Sequence, residues 1–260
     1  MTNDARVSGS FCQENGESTM SGHSKWSTIK RKKGAADQKR GQEFSKLIKN
    51  IIGAVRESGD DPDSNTKLRT LVDKAKSINM PQDTLKRAIA RGSGTLDGMQ
   101  VEEITYEGYG PSGVAVLIET LTDNRNRTTA EVRHILTKYG GSLGEGGCVA
   151  WMFDKIGVIL VPKEGVDADA LMECAIDNGA SDVDDEDDQF FTITSEVADF
   201  DPLQKALENA GFPIENADLS MEPQTTVQVD EKHASSVLKI MNMLEEMDDV
   251  QNVYSNFDIS

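Results

Sequence analysis

A chain of 260 residues with 37% apolar and 28% charged residues is long enough for two or three domains, each with its own core. No apolar run approaches the ~18 residues of a spanning helix, and the formal net charge of −18 repels polyanions from the chain as a whole. Cys12, Cys148 and Cys174 are far apart, odd in number and form no C-x-x-C pair, which argues against a disulfide framework and for a reducing, cytoplasmic setting.

Residues 1–19 lack the apolar stretch of a signal peptide and are read as a disordered leader, with Met20 the expected start. A basic arm follows, "HSKWSTIKRKKGAADQKRG" (23–41). Next comes "GQEFSKLIKNIIGAVRE" (41–57), where Phe44, Leu47, Ile48, Ile51, Ile52 and Val55 fall at spacings of 3, 1, 3, 1 and 3, one face of a helix. "SGDDPDSN" breaks it. A second helix over 66–78 turns Leu68, Leu71, Val72 and Ala75 inward. A third opens at Pro81, carries Leu85, Ala88 and Ile89, and ends at Gly92. These three helices close one small core.

After the linker "GSGTLDG" (92–98) the period changes to two. "VEEITYEGY" and "GVAVLIETLT" read as strands around the turn "GYGPSG". Thr128 and Glu131 have capping-box spacing ahead of a helix with Val132, Ile135, Leu136 and Tyr139 inward. "GGSLGEGG" reads as a flexible loop. Strands at "CVAWMF" and "GVILVP", a helix at 167–178, strands near 182–185 and 190–194, and a helix at 202–210 follow. Then come "MEPQTTVQV", a helix at 231–247 and a strand at 250–254. The order is that of a ferredoxin-like unit inserted into another α+β domain. The expected fold class is α+β in three domains: arm and helices over 20–97, a discontinuous α+β domain over 98–148 and 214–260, and an insert over 149–213.

Charge is unevenly distributed. Residues 20–100 hold 17 Lys/Arg and 9 Asp/Glu, a balance of +8; residues 101–260 hold 9 and 33, a balance of −24; residues 1–19 add −2. The basic part therefore seeks polyanions. His23, Lys25, Trp26, Lys30, Arg31, Lys32, Lys33, Lys39, Arg40, Lys46 and Lys49 are the expected nucleic-acid contacts. Cations there gain affinity by releasing counterions from phosphates, and Trp26 can stack on a base or anchor the arm. Lysine predominates over arginine, which suits backbone contact more than base reading. Arg125, Arg127 and Arg133 are a second phosphate candidate: a turn ahead of a helix N-terminus carries the first two, though the abundant carboxylates could equally engage them.

Other patterns are weaker. "GYGPSG" matches G-x-G-x-x-G literally, but a dinucleotide site needs a helix after the loop and here a strand follows. "DVDDEDDQ" (182–189) lacks the glycine and glutamate spacing of a calcium loop and reads as a solvated turn. His23, His134 and His233 have no metal-ligand spacing, and no G-x-S-x-G, P-loop or H-E-x-x-H occurs. The expectation is a non-enzymatic protein without metal, cofactor, small-molecule substrate or membrane span.

Six segments carry a family resemblance: "MSGHSKW", "KGAADQKRGQEFSKL", "NMPQDTLKRAI", "YEGYGPSGVAV", "LTDNRNRT" and "CVAWMF". Together they resemble the YebC family, whose mitochondrial relative is a translational activator of cytochrome oxidase subunit I. The resemblance spans residues 20–260. It implies a helical N-terminal domain followed by two α+β domains, and a cytoplasmic regulator that binds nucleic acid. Members are described as probable transcriptional regulators that bind DNA, or as translation factors acting on the ribosome and hence on ribosomal RNA. A third reading, taken from the charges, is a scaffold whose acidic domain docks a basic protein.

Overall fold

A computed structural model describes residues 36–96 and 101–259. It begins with helix α1 (Ala36–Ser58), which extends the expected helix toward the arm. Leu47, Ile51, Ile52 and Val55 are buried and Phe44 and Ile48 pack beside them, as the spacing predicts. Helices α2 (Thr66–Ser77) and α3 (Gln82–Gly92) cover that stripe with Leu68, Ala75, Leu85 and Ala88. Burying each Leu or Ile contributes roughly 1.5–3 kcal/mol.

Two polar residues set the turns. Buried Asn65 caps α2 by accepting the Leu68 N–H at 2.9 Å, and its Nδ2 donates to the Ala54 and Gly59 carbonyls at 2.9 and 2.8 Å. Asn79, with φ 56°, makes the left-handed step in the short link 78–81 between α2 and α3. Gly92 lies so close to α1 that a Cβ there would sit 2.6 Å from Val55 Cβ.

The second domain is built on the sheet β3-β1-β2-β9, with every pair antiparallel. Its strands are β1 (Glu102–Tyr109), β2 (Ala115–Thr122), β3 (Ser142–Leu143) and β9 (Val250–Ser255). Helices α4 (Arg125–Lys138) and α7 (Glu231–Glu245) cover one face. Strand β2 is apolar on both sides. Val116 and Ile118 face the helices, while Ala115 and Leu117 face a second cluster with Val149, Phe153 and Tyr254 at the junction with the next domain. "GYGPSG" is the hairpin connection, with Ser112 at φ 61°.

Between β3 and β9 the chain leaves to build a second sheet, β5-β6-β4-β7, again wholly antiparallel. Here β4 is Phe153–Pro162, β5 Ala180–Asp184, β6 Phe190–Glu196 and β7 Asn216–Pro223. Helices α5 (Ala168–Asp177) and α6 (Val197–Asn209) pack Leu171, Ala175, Leu203 and Leu207 on Ile159, Val161, Phe191 and Ile193. The βαββαβ order and this strand sequence are ferredoxin-like. The molecule is thus α+β, a helical domain followed by two α+β domains.

Several details differ from the sequence reading. "CVAWMF" is no strand: Ala150–Met152 form a 3₁₀ turn, and β4 starts only at Phe153. Val149 and Phe153, four apart, both face the junction cluster, and so short an apolar run does not distinguish strand from turn. The second sheet runs past residue 213 to Pro223, because β7 pairs along β4. Val227–Val229 (β8) joins Phe257–Ile259 (β10) in a separate parallel pair rather than the central sheet. Helix α6 begins at Val197 instead of 202. No helix among the described residues is long and apolar enough to cross a membrane.

Candidate nucleic-acid interface

Of the expected contacts, His23, Lys25, Trp26, Lys30, Arg31, Lys32 and Lys33 lie outside the described residues, as do the side chains of Lys39 and Arg40. The backbone of Lys39 and Arg40 is the N-terminal part of α1, so the basic segment runs directly into this helix.

Lys46 and Lys49 are engaged elsewhere. Lys46 Nζ donates to the Glu245 carbonyl at 2.8 Å and Lys49 Nζ to the Asp248 carbonyl at 3.0 Å. Gln42 Nε2, one turn earlier, donates to the Glu246 carbonyl at 2.9 Å. These carbonyls stand at and just beyond the C-terminus of α7, where backbone acceptors lack helical partners and the helix dipole is negative. Lys49 also ion-pairs with Asp249 and is only 7% exposed. It is a clamp between domains, not a phosphate contact; one face of α1 is spent on holding the end of α7.

Asp249 is the centre of that clamp. At 3% exposure it accepts from Lys49, from Arg127 at 2.8 Å and from the Thr128 hydroxyl at 2.7 Å. Burial alone would raise its pKa, but hydrogen bonds from Arg127, Lys49 and Thr128 outweigh it and hold the carboxyl down at about 2. Arg127 also pairs with Asp123 at 2.8 Å, and the hydrogen bonds it donates to Asp249 and Asp123 raise its pKa.

The second phosphate candidate does not assemble. Arg125 and Arg127 are not in a turn but in the first turn of α4, which Asn124 caps by accepting the Arg127 N–H at 3.1 Å. Thr128, expected as the cap, is buried inside the helix with its hydroxyl on Asp249. Residues two apart on a helix point to nearly opposite sides. Arg127 therefore turns toward Asp123 and Asp249 while Arg125 and Arg133 are exposed.

The sequence reading passed over a set of cations on α2 and α3. Lys67, Arg69, Lys74, Lys76, Lys86 and Arg87 are all exposed. Lys67 pairs with Glu57 at 2.9 Å and Lys76 with Asp73 at 2.8 Å, exposed pairs worth at most about 1 kcal/mol each and easily exchanged for phosphate. Their signal was present: they occupy the polar stripe opposite Leu68, Ala75, Leu85 and Ala88.

Between α1, α4 and the end of α7 lies an open cleft of about 1050 Å³. Ile48, Ile135, Met243 and Met247 contribute apolar surface; Asp123, Glu131, Glu246, Asp248 and Asp249 line it against Lys49, Arg91, Arg127 and His134. Its balance is acidic, so it does not suit a phosphate.

Charge farther away is more lopsided. Phe153 to Pro223 holds 19 Asp/Glu and 3 Lys/Arg, a balance of −16 of the chain's −18. Asp182 to Asp184, expected in a loop, belong to β5, and the acidic loop 185–189 closes the β5–β6 hairpin: Asp187 Oδ1 accepts the Gln189 N–H at 2.8 Å, and Asp184 Oδ1 that of Glu186 at 2.8 Å. The "GGSLGEGG" segment is also more fixed than expected. Buried Glu107 accepts the N–H groups of Gly147, Val149 and Ala150 at 2.6, 2.7 and 2.8 Å. Burial would raise its pKa; these three amides outweigh that and lower it. The loop displays Trp151, 68% exposed, with its indole N–H on the Cys148 carbonyl at 3.2 Å.

Comparison with known proteins agrees with this architecture. Residues 24–95 match the family model of the TACO1/YebC protein N-terminal domain, and residues 101–257 that of the TACO1/YebC second and third domain. A protein of Geobacter sulfurreducens named probable transcriptional regulatory protein is 57% identical over 241 residues, 93% of this chain and 97% of the relative. One of the same description from Chlorobaculum tepidum is 52% identical over 93% of this chain and 96% of its own. The crystal structure of a conserved hypothetical protein from Aquifex aeolicus superposes with a TM-score of 0.82 at 46% identity, covering 91% of this chain and 97% of that one. Matched along nearly all of its three domains, the chain belongs to the TACO1/YebC family.

Proposed function

We propose that this protein is a non-enzymatic regulator of gene expression that binds nucleic acid through its N-terminal domain. The observation that carries the reading is the charge partition: +8 over residues 20–100 against −16 over the ferredoxin-like unit. A polyanion is attracted to the first region and repelled by the second. His23, Lys25, Trp26, Lys30, Arg31, Lys32, Lys33, Lys39 and Arg40 supply the arm, and the exposed cations of α2 and α3 extend its surface. The names of the relatives, probable transcriptional regulatory proteins, support regulation and favour DNA. So does the link 78–81: a short turn between two helices, followed by Gln82, Lys86 and Arg87 exposed on α3, is the kind of element that enters a major groove.

Replacing Lys30, Arg31, Lys32 and Lys33 with alanine weakens duplex binding several-fold and flattens its salt dependence. Replacing Lys86 and Arg87 lowers discrimination between sequences. Unchanged affinity and slope in the arm variant sink the reading. A second reading, a translation factor on ribosomal RNA, is favoured by the lysine-rich arm, since phosphate and shape suffice there. Crosslinking in cells separates the two: promoter DNA in the recovered material supports the first, ribosomal RNA the second.

A further inference from the structure

We infer that the cleft between α1, α4 and α7 is a docking site for this chain's own basic arm, residues 23–33, which is thereby withheld from nucleic acid. The cleft offers an apolar floor, Ile48, Met243 and Met247, rimmed by exposed Glu131, Glu246 and Asp248. Met243 is 36% exposed, so the floor is open to an apolar side chain. The arm has the complementary pattern: Trp26 and Ile29 set among Lys25, Lys30, Arg31, Lys32 and Lys33.

Reach is sufficient. Gln42 and Ser45, which line the cleft, belong to the helix into which the arm runs. Ala36 is about 9 Å from Gln42 along the helix, and ten residues of chain between Trp26 and Ala36 span up to about 33 Å. Linkage to the cleft also gives the arm a high effective concentration over any free basic peptide. Lys49 and Arg127 are already committed to Asp249, and among the described residues Glu131, Glu246 and Asp248 form no ion pair, which leaves their carboxylates as the charge to be matched. Docking itself is independent of the nucleic-acid reading; competition with nucleic acid rests on it.

The test uses the full chain carrying Trp151→Phe, which leaves Trp26 as its single tryptophan. Emission and acrylamide quenching of Trp26 are compared with those of the same protein bearing E131Q, E246Q and D248N. Docking predicts a blue-shifted, protected Trp26 that becomes exposed in the cleft variant and at about 1 M salt, where screening shortens to about 3 Å. Replacing Lys30, Arg31, Lys32 and Lys33 with alanine leaves the cleft intact and exposes Trp26 as well. Duplex affinity of the cleft variant rises about fivefold, as three exposed ion pairs would allow. Equal quenching in all proteins overturns the inference, even if duplex affinity rises. Protection that fades on dilution assigns the cleft to a second copy's arm and overturns it too. Protection without duplex binding by any variant retains the docking and sinks the proposed function instead.

Discussion

The helical domain and the ferredoxin-like unit are both small, each closes one apolar core, and their charges are opposite. Neither core needs that charge. The six exposed cations of α2 and α3 lie opposite the buried stripe, and the acidic hairpin loop is held by aspartate side chains accepting backbone N–H groups, which any short polar side chain could do. Charge that neither core uses is left on the surface, although Lys74 of α2 also lies near enough to Asp218 of β7 to favour its ionised form. Charge does serve the fold at the Asp249 clamp, which joins the helical domain to the central α+β domain, and at Glu107.

Breaking the clamp has the largest effect. Asp249→Ala leaves Lys49 and Arg127 without their buried partner and costs about 3–5 kcal/mol in urea unfolding. The same carboxyl makes stability depend on pH. Its folded pKa of about 2 lies below the usual 3.8, so its contribution is complete above pH ~4 and is lost as pH falls from there through 2. Between those values the parent loses about 2 kcal/mol of stability through this carboxyl; Asp249→Asn lacks that share of the loss. Glu107→Ala orphans three amides, costs about 1–3 kcal/mol and moves the emission of Trp151, which the pinned loop carries. Gly92→Ala pushes a methyl against Val55 and destabilises the helical domain by about 1–3 kcal/mol, seen as loss of its helical signal at a lower temperature. The smallest effect sharpens the contrast: Asp185→Asn, Glu186→Gln and Asp188→Asn together change stability by no more than about 0.5 kcal/mol while raising non-specific DNA affinity. A large loss of stability there shows that the acidic charge is structural after all.

Short-range features were legible in the sequence. The stripe from Phe44 to Val55, the β1–β2 hairpin and the ferredoxin-like order all follow from periodicities of a few residues. The clamp was not, because Lys49 and Asp249 are separated by 200 positions and only the folded chain brings them together. For the same reason Lys46 and Lys49 looked like an extension of the arm: a lysine's spacing says which face of a helix it occupies, and not that the carbonyls at the end of α7 await it. The α2–α3 turn rests on Asn79, whose ability to adopt positive φ is shared by many asparagines that do not use it.

The clamp also orders events during synthesis. Gln42, Lys46 and Lys49 are made early, whereas their acceptors at Glu245, Glu246, Asp248 and Asp249 are among the last residues added. Domains fold as they emerge, N-terminal first. The nascent helical domain therefore waits through most of translation before Lys49 meets Asp249, and it takes its fixed seat on the body only as the chain is finished.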